Sequence, residues 1–345
     1  MRHFGNLNNG TAAQLFTLRS KYLEVVITNY GGRVVSLLAP SRDGKMEDVA
    51  LGFESLDAYR NDRAYHGALI GRYAGRIAGG RLSVAGASHQ LTQNEGGNTL
   101  HGGHEGFDRQ LWQASATASG LDLTYRSRDG EEGFPGNLRV MVRYRVIRNA
   151  LRIDYHATTD RDTVINLTSH IYFNLSSNCT DHILDHTIKL HADRYLPVNA
   201  EGIPTGALHM VTGTAFDFRR ASPIGAGRGG TDEQLRLRGG YDHTWVLGEP
   251  KVKPALAAEV SEPTTGRVMA VFTTEPGVHF YSGNQLDGEA VGKFGRSYGT
   301  YAGFCMETQH FSDSPHHPQF PTTILRPGRP HRSTTIYRFG TDARQ

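Results

Sequence analysis

Two short stretches carry side chains that can move protons, and strand parity sorts each onto a face. In N-L-T-S-H-I-Y-F-N-L, residues 166–175, a period of two puts Asn166, Thr168, His170, Tyr172 and Asn174 on one face, with Leu167, Ser169, Ile171, Phe173 and Leu175 on the other. One face is polar with an imidazole at its centre; the other is apolar apart from a serine. The expectation is a strand that buries one side and offers the other as a row of hydrogen-bonding groups suited to a polyhydroxylated molecule. In F-C-M-E-T-Q-H-F, residues 304–311, the same parity points Glu307 and Gln309 together, away from Met306 and Thr308. Where two such polar faces meet, an acid and a base flank one bound molecule, which proton transfer at two neighbouring oxygens requires.

Two glycine-rich stretches add binding groups. Residues 67–81, G-A-L-I-G-R-Y-A-G-R-I-A-G-G-R, let the backbone turn sharply and come close to a ligand, while Arg72, Arg76 and Arg81 offer forked donors. Residues 94–108, N-E-G-G-N-T-L-H-G-G-H-E-G-F-D, set His101 between Leu100 and a glycine pair. No G-x-G-x-x-G opens a helix after a strand, which argues against nucleotide binding. The 17 histidines invite a metal, above all His101 with His104 and the pair His316 and His317. No H-E-x-x-H occurs and no carboxylate stands at a ligand offset from them, so neither metal nor other cofactor is expected.

The elements that must position these residues are strands. Residues 22–28 and 34–38 flank a turn as a hairpin, 82–84 and 89–91 flank Gly86, and 112–118 lead across Gly120 into 121–126. The clearest alternation runs Leu138, Val140, Val142, Tyr144, Val146 and returns through Asn149 into Leu151, Ile153, Tyr155, Ala157. Strands recur at 187–190, 243–247, 268–273, 278–281, 301–308 and 334–339, and helical pattern is confined to 56–61 and 232–237. The class is all-β, one domain over residues 1–345, with two packed antiparallel sheets closing over a cleft. The piece 225–230, with Arg228, Thr231 and Asp232, reads as a mobile surface loop.

Composition narrows the ligand. A net charge of +3 with 37 basic and 34 acidic residues interspersed suggests neither nucleic acid nor membrane as partner, and points to a small uncharged molecule. Cys179 and Cys305 have no C-x-x-C spacing and read as reduced thiols. No apolar leader and no stretch approaching ~18 apolar residues is present, so a soluble cytoplasmic protein is expected.

Taken together, G-R-Y-A-G-R-I, N-T-L-H-G-G-x-x-G-F-D-R-x-x-W, L-T-S-H-I-Y-F-N-L, Y-D-H-T-W, P-G-V-H-F-Y-S-G-N and E-T-Q-H-F-S-D-S-P, spread over residues 67–339, resemble the aldose 1-epimerase (galactose mutarotase) family. The resemblance implies a large antiparallel β-sandwich and interconversion of the α and β anomers of free hexoses such as glucose and galactose, without metal or nucleotide. It implies His170 as general acid and Glu307 as general base, with Arg76, His101 and Asp242, and His279 beside them, holding sugar hydroxyls. The chain departs from the family's usual pattern at Gly75, Ser169 and His279, where Asn, Asn and Gln are common, and this bears on sugar preference. Two other activities suit the same fold: a hexose-phosphate epimerase, which needs a net basic pocket, and a non-catalytic sugar-binding module. A glycosidase would normally need two carboxylates at the anomeric carbon. With ordinary values of about 4.3 for Glu307 and about 6.5 for His170, the active window would close below neutral pH, so the fold is expected to raise the His170 pKa.

Overall fold

The computed structural model describes residues 1–227 and 229–342; Arg228, in the glycine-rich piece, lies outside the described residues. The alternating hairpin forms as its pattern dictates, with Leu138–Ile147 and Ala150–Thr159 paired antiparallel from Leu138 with Thr159 to Ile147 with Ala150. It lies within a nine-stranded antiparallel sheet, the large sheet, which also holds Arg267–Thr273 and His331–Thr341. Facing it is a six-stranded sheet, the site sheet, in which Phe304–Gln309 lies between Tyr172–Phe173 and Gly277–Tyr281, and Asp242–Val246 follows.

One side of the central strands of both sheets goes to a shared core. Phe304, Met306, Val278, Phe280 and Trp245 of the site sheet join one cluster with Val140, Ile153, Val271 and Tyr337 of the large sheet. Each large side chain so buried contributes about 1.5–3 kcal/mol. A third sheet, five-stranded and built from the N-terminal strands, feeds Val25, Ile27 and Leu37 into the same cluster. The two helices form where expected. Ser55 accepts the amide of Ala58 ahead of Leu56–Asn61, and Asp232 accepts those of Gln234 and Leu235 ahead of Glu233–Arg238. Sequence pattern missed Arg2–Asn6, Ala12–Arg19 and Ala255–Ser261. The last of these, A-L-A-A-E-V-S, has a register break between Leu256 and Ala258, and its alanines carry almost no hydrophobic contrast.

The 166–175 stretch departs from expectation. It is two short strands, Thr168–His170 paired with Ala68–Ile70 and Tyr172–Phe173 paired with the site sheet, and all of its residues are buried on both faces. Its polar row is therefore not an open binding surface. Asn166 Nδ2 donates to the carbonyls of Ala74 (2.9 Å) and His310 (3.0 Å), Thr168 Oγ1 to that of Thr308 (3.1 Å), and Asn174 Nδ2 to that of Ala302 (2.8 Å). A polar group buried without a partner costs several kcal/mol, so these side chains serve as clamps between strands. His170 and Tyr172 are the two that turn to the cleft.

Two buried cations tie the layers together. Arg267, on the large sheet, donates to the carbonyls of Ala39 (3.3 Å) and Leu175 (3.0 Å) and to Glu47 (2.6 Å), joining that sheet to the N-terminal sheet and to the His170 segment. Lys293 Nζ donates to Asp48 Oδ2 (2.6 Å) and to the carbonyls of Val35 (2.9 Å) and Ala50 (2.6 Å), with both side chains under 10% exposed. Lys293→Met, which strands Asp48, is expected to cost about 3–5 kcal/mol in urea unfolding. The double variant Asp48→Asn/Lys293→Met recovers much of that loss. A loss under 1 kcal/mol in the single variant would show that water reaches Asp48.

Candidate active site

Parity on the site sheet places the chemistry. With Phe304, Met306, Val278, Phe280 and Trp245 turned to the core, Glu307, Gln309, His279, Tyr281 and Asp242 turn the other way, and His279 sits directly across from Glu307 in the register. Loops from the glycine-rich stretches cover this face and leave a cleft. Arg76, His101, His170, Asp242, His279 and Glu307 all line it, so the structure brings together every residue singled out as acid, base or sugar ligand.

At its centre His170 Nε2 stands 3.6 Å from Glu307 Oε1, too far for a hydrogen bond, with side chains 6% and 3% exposed. On the other side of the ring, Nδ1 lies 3.4 Å from Cys305 Sγ. Burial, and then the carboxylate of Glu307, raises that thiol well above its ordinary pKa, so it stays S–H. Glu307 Oε2 and Gln309 Oε1 are buried with no hydrogen-bond partner, and unsatisfied acceptors in a cleft are places for a ligand's hydroxyls.

Proton affinities differ from the sequence expectation. Burial first, and the His66 imidazole second, push His170 down to about 3. Burial first, and the Asp242 carboxylate second, push Glu307 well above its ordinary value, with Arg76 opposing. Removal from water favours whichever form is uncharged, so in the empty cleft the pair holds one proton, on Glu307, and His170 is not raised by its neighbour.

The flanking groups are locked by their own partners. His101 has φ of 51° just ahead of Gly102 and Gly103; its amide donates to the carbonyl of Gly75 (3.0 Å), and the amide of Gly75 donates to its Nδ1 (3.2 Å). Burial, followed by the neighbouring His170, holds this ring well below the usual imidazole range, leaving a neutral donor at Nε2. Arg76 forks onto Glu95 with bonds of 2.6 and 2.7 Å. Asp242 accepts from Arg238 through Oδ2 (2.7 and 3.1 Å) and meets His279 Nε2 through Oδ1 (2.9 Å). Against burial, the His279 bond and the cations of Arg76 and Arg238 hold Asp242 well below the carboxylate range.

Only one arginine of the 67–81 stretch reaches the cleft. Arg72 is buried elsewhere, donating to the carbonyls of Pro135 (2.8 Å) and Gly136 (2.9 Å), and Arg81 is exposed on the strand Arg81–Val84. Gly75, at φ of 78°, leaves no gap for an amide: a Cβ there would fall 2.0 Å from Ser312 Oγ, which occupies the space and accepts from the amide of Arg76 at 3.4 Å. Sequence reasoning missed Glu95 and Arg238. Glu95 stands inside the quoted N-E-G-G-N run, and Arg238 lies four residues before Asp242 at the end of a helix, so spacing held a signal for each. Tyr65, packed edge-on to His101 at 4.8 Å, left none.

Among the described residues, one group of ligand-type side chains converges, namely His101, His170 and Glu307, with ligand atoms within 4.8 Å of one another. A cation there would have to displace the proton from Glu307 and turn over the His101 tautomer, so these residues suit proton transfer better than metal binding. A raised carboxyl favours the fold at low pH and is lost as pH climbs through its folded pKa. Glu307→Gln is therefore expected to raise Tm, by an increment that grows between pH 5 and pH 8 in calorimetry. A gain that shrinks over that range would mean that Glu307 is buried as a stabilised anion.

The same arrangement of strands is found in known proteins. The family model described as aldose 1-epimerase matches residues 14–338. A galactose mutarotase of Rattus norvegicus is 42% identical, and an aldose 1-epimerase of Escherichia coli (strain K12) 37% identical, over 97% and 96% of both chains respectively. Among solved structures, an aldose epimerase homologue from C. elegans superposes with a TM-score of 0.88 at 28% identity, covering 96% of this chain and all of that one. A galactose 1-epimerase from Lactobacillus acidophilus superposes at 0.85 with 29% identity, over 99% and 98%. By sequence along nearly its whole length, and by fold, this chain belongs to the aldose 1-epimerase family.

Proposed function

We propose that the protein is an isomerase that interconverts the α and β anomers of free hexoses, glucose and galactose among them, with His170 and Glu307 as its acid–base pair. The observation that carries this reading is the pair itself, one imidazole and one carboxyl 3.6 Å apart, both buried, in a cleft where Arg76 is paired with Glu95 and Asp242 with Arg238. Ring opening needs a base at the C1 hydroxyl and an acid at the ring oxygen. In the ionised form of the pair, Glu307 takes the hydroxyl proton while His170 gives one to the ring oxygen. The pair ends with Glu307 protonated and His170 neutral, the form that burial favours. Cyclic sugar thus goes with the ionised pair and open chain with the neutral pair, and one proton count serves both. Rotation about C1–C2 and return of the protons complete the exchange. Held by Arg76, His101, Asp242 and His279, the rest of the sugar stays in place while its end turns.

A hexose-phosphate epimerase would need surplus positive charge. Arg72 and Arg81 do not supply it and Arg76 is matched by Glu95, which leaves the exposed Arg63 as a single cation on the lining with no carboxylate partner among the described residues. Two thiols free of a disulfide fit a cytoplasmic setting, and among the described residues no helix is long and apolar enough to cross a membrane.

Polarimetry on fresh α-D-glucose and α-D-galactose tests the activity. The protein is expected to speed the approach to an unchanged final rotation, with glucose 6-phosphate a poorer substrate. His170→Asn and Glu307→Gln should each cut kcat about 10²–10⁴-fold, and the double variant no further, since one concerted transfer is lost either way. A binding module would leave the rate at its spontaneous value.

The pH profile follows from the single shared proton. Acid adds a second proton at His170, near 3, and alkali removes the first at the raised titration of Glu307. The expected kcat/KM is level from about pH 5 through neutrality and falls on the alkaline side. A profile that collapses between pH 6 and 7 would restore an ordinary histidine as the limiting group.

A further inference from the structure

The outer face of the large sheet carries a charge pattern that the chemistry of the cleft does not use. Along Gly120–Ser127, Leu138–Ile147, Ala150–Thr159 and His331–Thr341 the core takes Leu123, Val140, Ile153 and Tyr337, and alternate residues turn outward. Through the middle of that face the register sets acid against base. Arg143 lies between Asp122 and Asp154 and bonds Asp122 at 2.6 and 2.7 Å, while Asp154 takes Arg152 at 2.7 Å. Like charges directly opposite destabilise a sheet, and this ordering avoids them.

At one end of the face the ordering stops. Arg126 stands directly across from Arg139, with Thr158 on the other side of Arg139; in the next outward row His156 stands directly across from Arg332. Arg126, Arg139 and Arg332 are exposed, and among the described residues none of the three has an ion pair or a side-chain hydrogen bond. Arg126 and Arg139 line a groove with Gln113, Thr124 and Thr158. The one carboxylate on its lining, Asp160, lies just past the strand Ala150–Thr159 and is engaged by the amide (2.8 Å) and the side chain (2.6 Å) of Asn137. Burial first, then the cations of Arg332 and Arg139, lower the pKa of the partly buried His156, which therefore feels both guanidiniums. A chain whose net charge is only +3 holds three unmatched arginines in this one patch.

We propose that this end of the outer face is a binding site for a multivalent oxyanion, a phosphate- or sulfate-bearing chain, gripped by Arg139 and Arg332 over His156 with Arg126 beside them. Arg139 and Arg332 stand two strands and one outward row apart, which puts their Cα atoms roughly 12 Å from one another, a gap that two arginine side chains can close around one anionic group. A guanidinium fork meets two oxygens of such a group at once. The hydroxyls of Thr124 and Thr158 and the amide of Gln113 add uncharged donors along the groove. A lone anion engages one or two forks, whereas a chain of them engages all three, so the fit is to a multivalent ligand. The core shared by the two sheets separates this face from His170 and Glu307, and its occupant is not the sugar in the cleft.

Titration of the full chain, labelled with ¹⁵N-histidine, tests this, with inorganic tripolyphosphate and a heparin hexasaccharide as probes and maltohexaose as the uncharged control. Either anion should shift the His156 ring resonances saturably, and maltohexaose should not. The tighter of the two anions names the source, an oligophosphate or a sulfated glycan. Arg139→Gln and Arg332→Gln should each weaken binding roughly tenfold, the scale of a lost charge-assisted pair. Arg2→Gln, the same change of charge at an exposed arginine of the N-terminal sheet, should leave binding as it was. All three variants should keep the unaltered protein's rate on galactose. No saturable shift at His156 with either anion overturns the proposal. So does an equal loss in Arg2→Gln, which would leave only the net charge at work.

Discussion

A β-sheet has two faces, and here the site sheet has one of them committed to a core shared with the large sheet. Everything about the cleft follows from what must be done with the other. It carries Asp242, His279, Glu307 and Gln309, and it is covered by loops, so each polar atom is removed from water and needs a partner. Most have one within the protein. Asp242 is held by Arg238 and His279, and the clamps Asn166 and Thr168 are spent on backbone carbonyls. The acceptors left over, Glu307 Oε2 and Gln309 Oε1, are those that a ligand completes.

Charge is distributed by the same logic. Arg76 faces Glu95, Arg238 faces Asp242, Arg33 faces Asp62 and Asp108, and Lys293 faces Asp48. With these charges matched, His170 and Glu307 are left buried in an environment that favours their neutral forms. An uncharged ligand suits such a cleft, and a proton can cross between imidazole and carboxylate without altering the total charge.

Much of this was legible in the sequence because strands write their faces into alternate residues. The hairpin 138–157, the parity of Glu307 against Met306 and both helix caps needed no more than that. The polar row of 166–175 misled for a physical reason: alternation records which side chains are polar, not whether their partners are water, a ligand or the next strand's carbonyls. The three arginines of 67–81 misled in the same way, since a guanidinium that ties loops together has the same letter as one that lines a cleft. Proton affinity was least legible. The expected lift of His170 by a nearby carboxylate presumes an ionised carboxylate, and whether Glu307 is ionised depends on a depth of burial that no local pattern encodes.

The fork of Arg76 on Glu95 has a consequence for traffic through the cleft. A guanidinium already bonded to Glu95 through Nε and Nη2 is fixed in place before a sugar arrives, and it meets a hydroxyl only with the donors that the fork leaves over. Such a lining holds its guests loosely while keeping its shape in their absence. For a catalyst whose substrate and product differ only at one carbon, loose tenancy is an advantage, since a lining that keeps its shape without a guest favours neither anomer over the other.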